Sequence, residues 1–486
     1  MSFLKDYPQL QIIRDIARRR KVAVHLVGGF LRDYMTAADH VGSAALNPAR
    51  FRDLDFAVEK GALDLARIFA RRIKGAYVVL DQERGCARVV KKSDGKVWTF
   101  DLSDFRARSF RQDLALRDFT INTLSADLAK LNGSTRLEDV LADGKDGLKD
   151  LRAKRIRRVA VKAFRDDPLR LLRAFSLSAA LDFKIEPQTL AQIRREKNLL
   201  RGVSYERIRD ELFKIFETER AAVTLKAMDK VGLLDKVIPQ IKVMYNCKQR
   251  GTYHHLDVWP HSLEVVVQFD GVVREMQGDA DVSDYLNESL GGNRTRRALL
   301  KLAALLHDIG KPETRKEAGK DKLTFYGHER VGKNIVTHIA KMLKLSTGER
   351  RALEDMVLWH LRPGYLSNFQ RPSERAIYRY LRDARQEAAG ILLLSLADQR
   401  ATRGPSSTPR HEKHHERICL NVLELYFDKK KEKPFVRFID GHDLIKQLRL
   451  KPSPLIGKIL AEVTEQQVLG KIKTRKEALE LAKTIT

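Results

Sequence analysis

The stretch FRDLDFAV, residues 51–58, decides how the first part of this chain is read. Its apolar positions spell a strand. Side chains alternate between the two faces of a strand, so Asp53 and Asp55 share one face and lie side by side. Two carboxylates that close repel each other unless a cation, usually a metal, lies between them. Just upstream, HLVGGFLRDY predicts a strand ending in Gly28 and Gly29, followed by a helix start that carries Arg32 and Asp33. Paired glycines at such a turn let backbone N–H groups approach a phosphate, and the helix N-terminus adds partial positive charge. A third acid, Asp101 in KVWTFDLSDFR, sits on a later strand and completes the set, with Asp104 as the second choice. Three carboxylates beside a phosphate cradle describe nucleotidyl transfer assisted by divalent metal.

The rest of the composition supports a nucleic-acid partner. The chain has 486 residues, enough for several domains with ample core, and 92 Lys and Arg against 64 Asp and Glu, a formal charge of +28. Because acids remain plentiful, the excess is expected as basic surface over ordinary domains, which suits a polyanion. Nucleic acid is favoured over a membrane: no 18-residue apolar run occurs, and MSFLKDYPQLQIIRD has no signal-peptide core. The cysteines, Cys86, Cys247 and Cys419, lack metal-ligand spacing and form no disulfide framework, which implies a reducing cytoplasm.

Along the chain, residues 1–140 mix helical periodicity with the β-rich runs VAVHLVGG, RDLDFAVE, AYVVLD, CARVVKK and KVWTFDLSDF. The expected class is α+β: a head with a small mixed sheet, then helices only. Residues 141–245 read as a helical neck without strands, 246–420 as a helical domain in which histidines gather, and 421–486 as a short helical tail. TRGPSSTPRHEKHHER, rich in Pro, Ser and charge, reads as a linker whose HEKHHER is a solvated basic segment.

GGFLRD, RDLDFAV, LALRDFTINTLS (residues 114–125) and FRDDPLRLLRAF (residues 164–175) resemble, in order and spacing, the motifs of the bacterial tRNA nucleotidyltransferases and poly(A) polymerases, class II of the polymerase-β-like superfamily. YERIRDEL, GLLDKVIPQ, GHDLIKQL, SPLIGKIL and GKIKTRKEAL extend the resemblance over essentially the whole chain. It implies that Gly28, Gly29 and Arg32 hold the triphosphate, and that Asp53 and Asp55 bind magnesium. It assigns Arg117, Asp118 and Asn122 to the triphosphate and ribose of the incoming nucleotide, and adds Arg173 to the nucleotide-binding set. Asp167 and Arg170 match the pair that reads the base: a carboxylate accepts from the exocyclic amine of C or A, and a guanidinium donates to ring acceptors. Their i, i+3 spacing on a helix would place both on one face.

Three positions depart from the family pattern. Leu116 precedes Arg117 where a double arginine is usual, Ser176 and Leu177 follow RAF where an arginine is usual, and the loop of residues 36–50 is long.

ALLHDIGKP places His307 and Asp308 at the end of an apolar helix, where two buried polar groups need a reason such as a metal. The segment resembles the HD phosphohydrolase motif. The resemblance adds His261 before it and Asp398 after it as ligands, and His328 and His360 for a second ion. A nitrogen-rich set of this kind suits Mn, Ni, Co or Fe better than Mg.

The expected activity is template-independent addition of nucleotides from CTP and ATP to an RNA 3′ end, with tRNA as the partner and all or part of CCA as the product. The alternative is a poly(A) polymerase, toward which the YHHLDVWPHSL region and the positive charge lean. A chain that is chiefly an HD phosphohydrolase with a vestigial head, or a non-enzymatic RNA-binding protein, is disfavoured by the intact Asp53, Asp55, Arg117, Asp167 and Arg170.

Overall fold

The computed structural model describes residues 3–41, 51–93, 95–249, 255–317, 323–404, 407–432 and 435–485. These form two compact units. The first holds Met1–Ile215 with Ala227–Val237, and the second holds Phe216–Lys226 with Ile238–Thr486.

The first unit is built on a seven-stranded mixed sheet. In chain order its strands are β1 (Val24–Val27), β2 (Asp53–Val58), β3 (Ala76–Asp81), β4 (Cys86–Ser93), β5 (Lys96–Asp104), β6 (Leu124–Asp127) and β7 (Leu141–Asp143). Their spatial order is β3-β4-β5-β2-β1-β6-β7. Only β2 and β5 pair in parallel. Leu54, Phe56, Ala57 and Val58 bury one side of β2 and its end, while Asp53 and Asp55 face out. That alternation is the one read from FRDLDFAV. The helix Gly29–Val41 follows β1 through Gly28, whose φ of +83° is a left-handed conformation that glycine adopts without penalty. This helix absorbs the first part of the segment expected as a long loop, and residues 42–50 lie outside the described residues.

The region after 140 is mainly helical, with small exceptions to the strand-free expectation. β7 closes the sheet edge, and Arg155–Ile156 pairs in parallel with Lys184–Ile185. The second unit adds two short hairpins, Ser289–Gly291 with Arg294–Thr295 and Lys316–Glu317 with Leu323–Thr324. Otherwise it is helical, with Arg296–Leu306 and Ala388–Ala401 buried along most of their lengths.

HEKHHER is not a linker. It opens the helix Pro409–Lys431, which starts at the Thr408 N-cap with Pro409 in the first turn and continues past residue 420. His415, Ile418, Cys419, Val422 and Leu423 bury one face, and the remaining histidines and cations look outward. Beyond it, Ile439, Leu444, Ile459, Val463, Ile472, Ala478 and Ala482 make a separate small core for the terminal helices. No helix among the described residues is long and apolar enough to cross a membrane.

Candidate active site and metal centre

In the first unit the sheet gathers the predicted carboxylates. Parallel pairing of β2 with β5 sets Asp55 opposite Asp101, and antiparallel pairing with β1 sets Asp55 opposite Val27, next to the glycine turn. A Cβ on Gly28 would lie 3.0 Å from Asp55 Oδ2, so the missing side chain keeps the space over that carboxylate open. Burial, then the carboxylates of Asp101 and Asp53, push the Asp55 carboxyl up to about 6, against the pull of Arg117 and Arg173. A carboxyl group held up in this way beside two other carboxylates fits a divalent cation, and all the donors are hard oxygens.

Asp101 carries a counter-ion that the sequence did not disclose. Arg88, its cross-strand partner on β4, donates from Nε and from a terminal nitrogen to the two Asp101 oxygens at 2.7 Å each. Asp104 is used elsewhere: its Oδ1 accepts from Ala62 N at 2.8 Å at the start of the helix Ala62–Ile73. Of the two acids on β5, Asp101 is the one in register with Asp55, whereas Asp104 pairs with Val58 at the far end of β2.

Behind the carboxylates runs a chain of paired polar groups. Arg32 donates to Asp33 at 2.7 Å and to Asn122 Oδ1 at 2.8 Å, Asn122 Nδ2 donates to Asp118 Oδ1 at 3.0 Å, and Arg173 Nε lies 2.9 Å from Asp118 Oδ2. Although burial alone would raise it, the Asp118 carboxyl is held below its ordinary value by Arg173, Asn122 and the Phe119 amide. Arg117 pairs with Asp113 at 3.2 Å, and its buried Nε has no partner, a donor left over beside the carboxylates. The structure therefore brings Arg32, Arg117, Asp118, Asn122 and Arg173 together. All of these guanidiniums are already oriented by carboxylate or amide partners.

Asp167 and Arg170 do not share a helix face. Asp167 precedes the helix Arg170–Leu181 in an extended conformation, and accepts from Leu169 N at 3.2 Å. Arg170 turns inward, donating to the carbonyls of Leu116, Arg117 and Ala163 at 2.8, 3.2 and 3.2 Å. The i, i+3 argument fails because proline at 168 places the helix start after Asp167. The side chain that meets Asp167 is Arg207, on the helix Tyr205–Phe216. Ser176, where the family pattern has arginine, bonds through its hydroxyl to Glu211 and to the Arg173 carbonyl.

The second unit assembles all six expected ligands of the histidine region. His261, His307 and Asp398 form one group, and Asp308, His328 and His360 a second, with the ligand atoms of each group lying within 4.8 Å of one another. Asp308 links them: its Oδ2 is 3.2 Å from His307 Nε2 and 3.8 Å from His261 Nε2, and its Oδ1 is 3.3 Å from His328 Nε2 and 3.8 Å from His360 Nε2. His261 Nε2 lies 2.9 Å from Asp398 Oδ1. Three of the rings are anchored from behind, His307 Nδ1 on Ala304 O, His328 Nδ1 on Phe325 O and His360 Nδ1 on Val357 O, at 2.9, 2.7 and 2.7 Å. An imidazole that donates from Nδ1 to a carbonyl presents the lone pair of Nε2, the tautomer a metal requires. With Nδ1 of His307 turned to the Ala304 carbonyl, its buried Nε2 lone pair faces the Asp308 carboxylate at 3.2 Å, an arrangement that a cation would relieve. Burial and the neighbouring imidazoles push His360 down to about 3, keeping it neutral. Lys311, overlooked in HDIGK, stands 2.6 Å from Asp308 Oδ2 and donates to Gln249 at 2.7 Å.

The chain matches known families in the same order as these features. Family models described as the Poly A polymerase head domain, the RNA- and SrmB-binding site of polymerase A, the HD domain and tRNA nucleotidyltransferase domain 2 match residues 24–157, 182–244, 259–402 and 434–482. An A-adding tRNA nucleotidyltransferase of Deinococcus radiodurans is 31% identical over 462 residues, covering 93% of each chain. A CC-adding tRNA nucleotidyltransferase of Thermus thermophilus is 27% identical over 93% of this chain and 91% of its own. The solved Thermotoga maritima CCA-adding enzyme complexed with tRNA shares the fold, with a TM-score of 0.58 at 20% identity over 98% of this chain and 94% of its own. Head, neck, histidine centre and tail thus occur together and in sequence, and the chain belongs to the bacterial tRNA nucleotidyltransferases that carry an HD domain.

Proposed function

We propose that this RNA nucleotidyltransferase builds all or part of the CCA end of tRNA from CTP and ATP, and that the carboxylates of Asp53, Asp55 and Asp101 around the Gly28 turn form its catalytic centre. In this reading the RNA 3′-oxygen attacks the α-phosphorus, the bond to the pyrophosphate oxygen breaks, and pyrophosphate leaves. Asp53 and Asp55 would hold magnesium, which lowers the pKa of the 3′-hydroxyl and neutralises the triphosphate when bound. Gly28 and Gly29 receive phosphate oxygens on backbone N–H groups. Arg32, Asn122, Asp118 and Arg173 fix the triphosphate and ribose through their shared network, and Arg117, held by Asp113, adds its free Nε donor beside them. Asp167 reads the amino edge of C or A, Arg207 orients it, and Arg170 is the member of the base-reading pair that braces the Leu116–Arg117 backbone.

The observation that carries this reading is the Asp55–Asp101 pairing in register beside Gly28. Relatives of both kinds are similar to this chain, an A-adding enzyme at 31% identity over 93% of both chains and a CC-adding enzyme at 33% over 64% of this chain, so the nucleotides added are read from the substrate panel that follows. The division of labour we propose is a head over 1–140, a base-reading neck over 141–245, an HD domain over 246–420 and an RNA-binding tail over 421–486. Incubation with tRNAs ending before CCA, after C and after CC, each with a single nucleoside triphosphate, tests the assignment. Extension of at least one of these tRNAs with CTP or ATP, and none with UTP or GTP, is the expected result, and no extension of any of them would overturn the assignment.

A second activity is favoured by the two groups of ligand-type side chains that meet at Asp308, the atoms of each lying within 4.8 Å of one another. We infer a phosphohydrolase at the HD centre, acting on 2′,3′-cyclic phosphate or phosphomonoester, with His261, His307, Asp308, His328, His360 and Asp398 as ligands of Mn, Ni, Co or Fe.

A further inference from the structure

A groove of about 1330 Å³ opens in the second unit along the first turns of the helix Pro409–Lys431. Arg410, Lys413 and Arg417 line it together with histidines, and none of its lining residues is acidic. Gln399 and Thr402 also line it, and Thr402 Oγ1 donates to the backbone carbonyl of Asp398 at 2.8 Å, so the groove reaches within one helical turn of the histidine centre. His414 Nε2 lies 3.0 Å from the carbonyl of Phe369, joining the basic helix to the opposite wall. Aromatic rings stand open around the same centre. Phe369 lines the groove and is 62% exposed, Tyr365 five residues after His360 is 56% exposed, and Tyr326 two residues before His328 is 87% exposed.

Open rings of this size on a surface are costly to leave in water, and cations lined up without acids attract a chain of phosphates. Aromatic faces that take bases beside cations that track a backbone are the elements of a single-stranded nucleic-acid site. A mononucleotide would engage only the centre itself.

We propose that this groove binds the 3′-terminal segment of single-stranded RNA and presents its terminal phosphate to the histidine centre. The proposal rests on reading that centre as a phosphohydrolase. For a 3′-phosphomonoester, water oxygen bonds to phosphorus, the bond to the ribose 3′-oxygen breaks, that oxygen takes a proton, and inorganic phosphate leaves. A 2′,3′-cyclic end first opens when water oxygen bonds to phosphorus, the bond to the ribose 2′-oxygen breaks and that oxygen takes a proton, leaving the 3′-phosphomonoester. The product is a free 3′-hydroxyl, the nucleophile that nucleotide addition requires.

The test uses the full chain with a short unstructured oligoribonucleotide that carries 4-thiouridine near a 2′,3′-cyclic phosphate end. Crosslinks are mapped by peptide mass, and hydrolysis is compared with that of a 2′,3′-cyclic mononucleotide. Crosslinks should fall in 367–370 and 409–417, and kcat/KM should favour the oligonucleotide by tenfold or more. The combined Arg410→Gln, Lys413→Gln, Arg417→Gln variant, and separately Phe369→Ala, should lose most of that crosslinking and of the preference. Crosslinks confined to other segments, or a preference that survives both variants, would overturn the proposal. Crosslinks in the groove with no hydrolysis of either substrate would instead overturn the hydrolase reading, and with it the presentation of phosphate to the centre.

Discussion

One terminal nitrogen of Arg207 reaches both oxygens of the Asp167 carboxylate, at 3.1 and 2.9 Å, while Arg170 points away to three backbone carbonyls. The carboxylate assigned to base reading is thus oriented from the helix Tyr205–Phe216, not from its own motif. Asp167→Ala should relax discrimination against UTP and GTP by about 1–3 kcal/mol, the value of a bidentate contact, and Arg207→Ala should do so in part. Arg170→Ala should instead lower stability by about 2–4 kcal/mol, because it strips donors from several carbonyls at once. Misincorporation kinetics and thermal unfolding separate the roles. Lost selectivity with unchanged stability in Arg170→Ala would make that arginine a base reader.

The histidine centre should bind a transition metal independently of the head. His307→Ala with Asp308→Ala removes the carboxylate that links the two ligand groups, so metal analysis of the purified protein should show the ion lost in the double variant. Nucleotide addition should remain, since the head carboxylates lie in the other unit. A wild-type protein without bound transition metal and without hydrolysis would leave these residues as packing.

Gly310 tests how tightly that centre is built. A Cβ there would lie 2.2 Å from the carbonyl oxygen of His328 and 2.6 Å from the amide of Gly332, so the helix carrying His328 can approach only because residue 310 has no side chain. Both neighbours are backbone and cannot step aside. Gly310→Ala should lower the melting temperature and the metal content together, and an unchanged metal content would contradict the packing described.

Much of this was legible in the chain. The Asp53–Asp55 face and the glycine turn depend on local periodicity and fell where the pattern put them, and the six residues named through the HD resemblance lie close together. Arg88 could not be read, because its meeting with Asp101 depends on the β4–β5 register, a property of the assembled sheet. Arg170 was misplaced because spacing was applied across a proline. The helix beginning at Pro409 was signalled by Thr408 and Pro409 as cap and first turn, and by apolar residues at 418, 419, 422 and 423, but its charged outer face masked them.

His415 should make stability depend on pH. Its ring lies 3.0 Å from Ser367 Oγ, 3.1 Å from Ser395 Oγ and 3.4 Å from Cys419 Sγ, with Asp398, His414 and Glu416 also in its field. Burial holds its pKa below the ordinary 6.5. Its neutral form is the one that fits, so this contribution is present above pH 6.5 and is lost as pH falls through the folded value. The slope is at most about 1.4 kcal/mol per pH unit for one proton. Melting of the wild type and of His415→Gln from pH 8 to 5.5 should show the steeper decline in the wild type, and parallel curves would remove His415 as a cause.

The most direct measurement is nucleotide incorporation by Asp53→Ala and by Asp55→Ala on tRNA lacking its terminal residues, with binding of that tRNA measured alongside. Each substitution removes a carboxylate from the face that pairs with Asp101 and opens onto Gly28. The loss should be several kcal/mol of transition-state stabilisation, roughly a thousandfold in rate or more, with tRNA binding and fold nearly intact. Incorporation near the wild-type rate in both variants would contradict the assignment of this cluster as the catalytic centre.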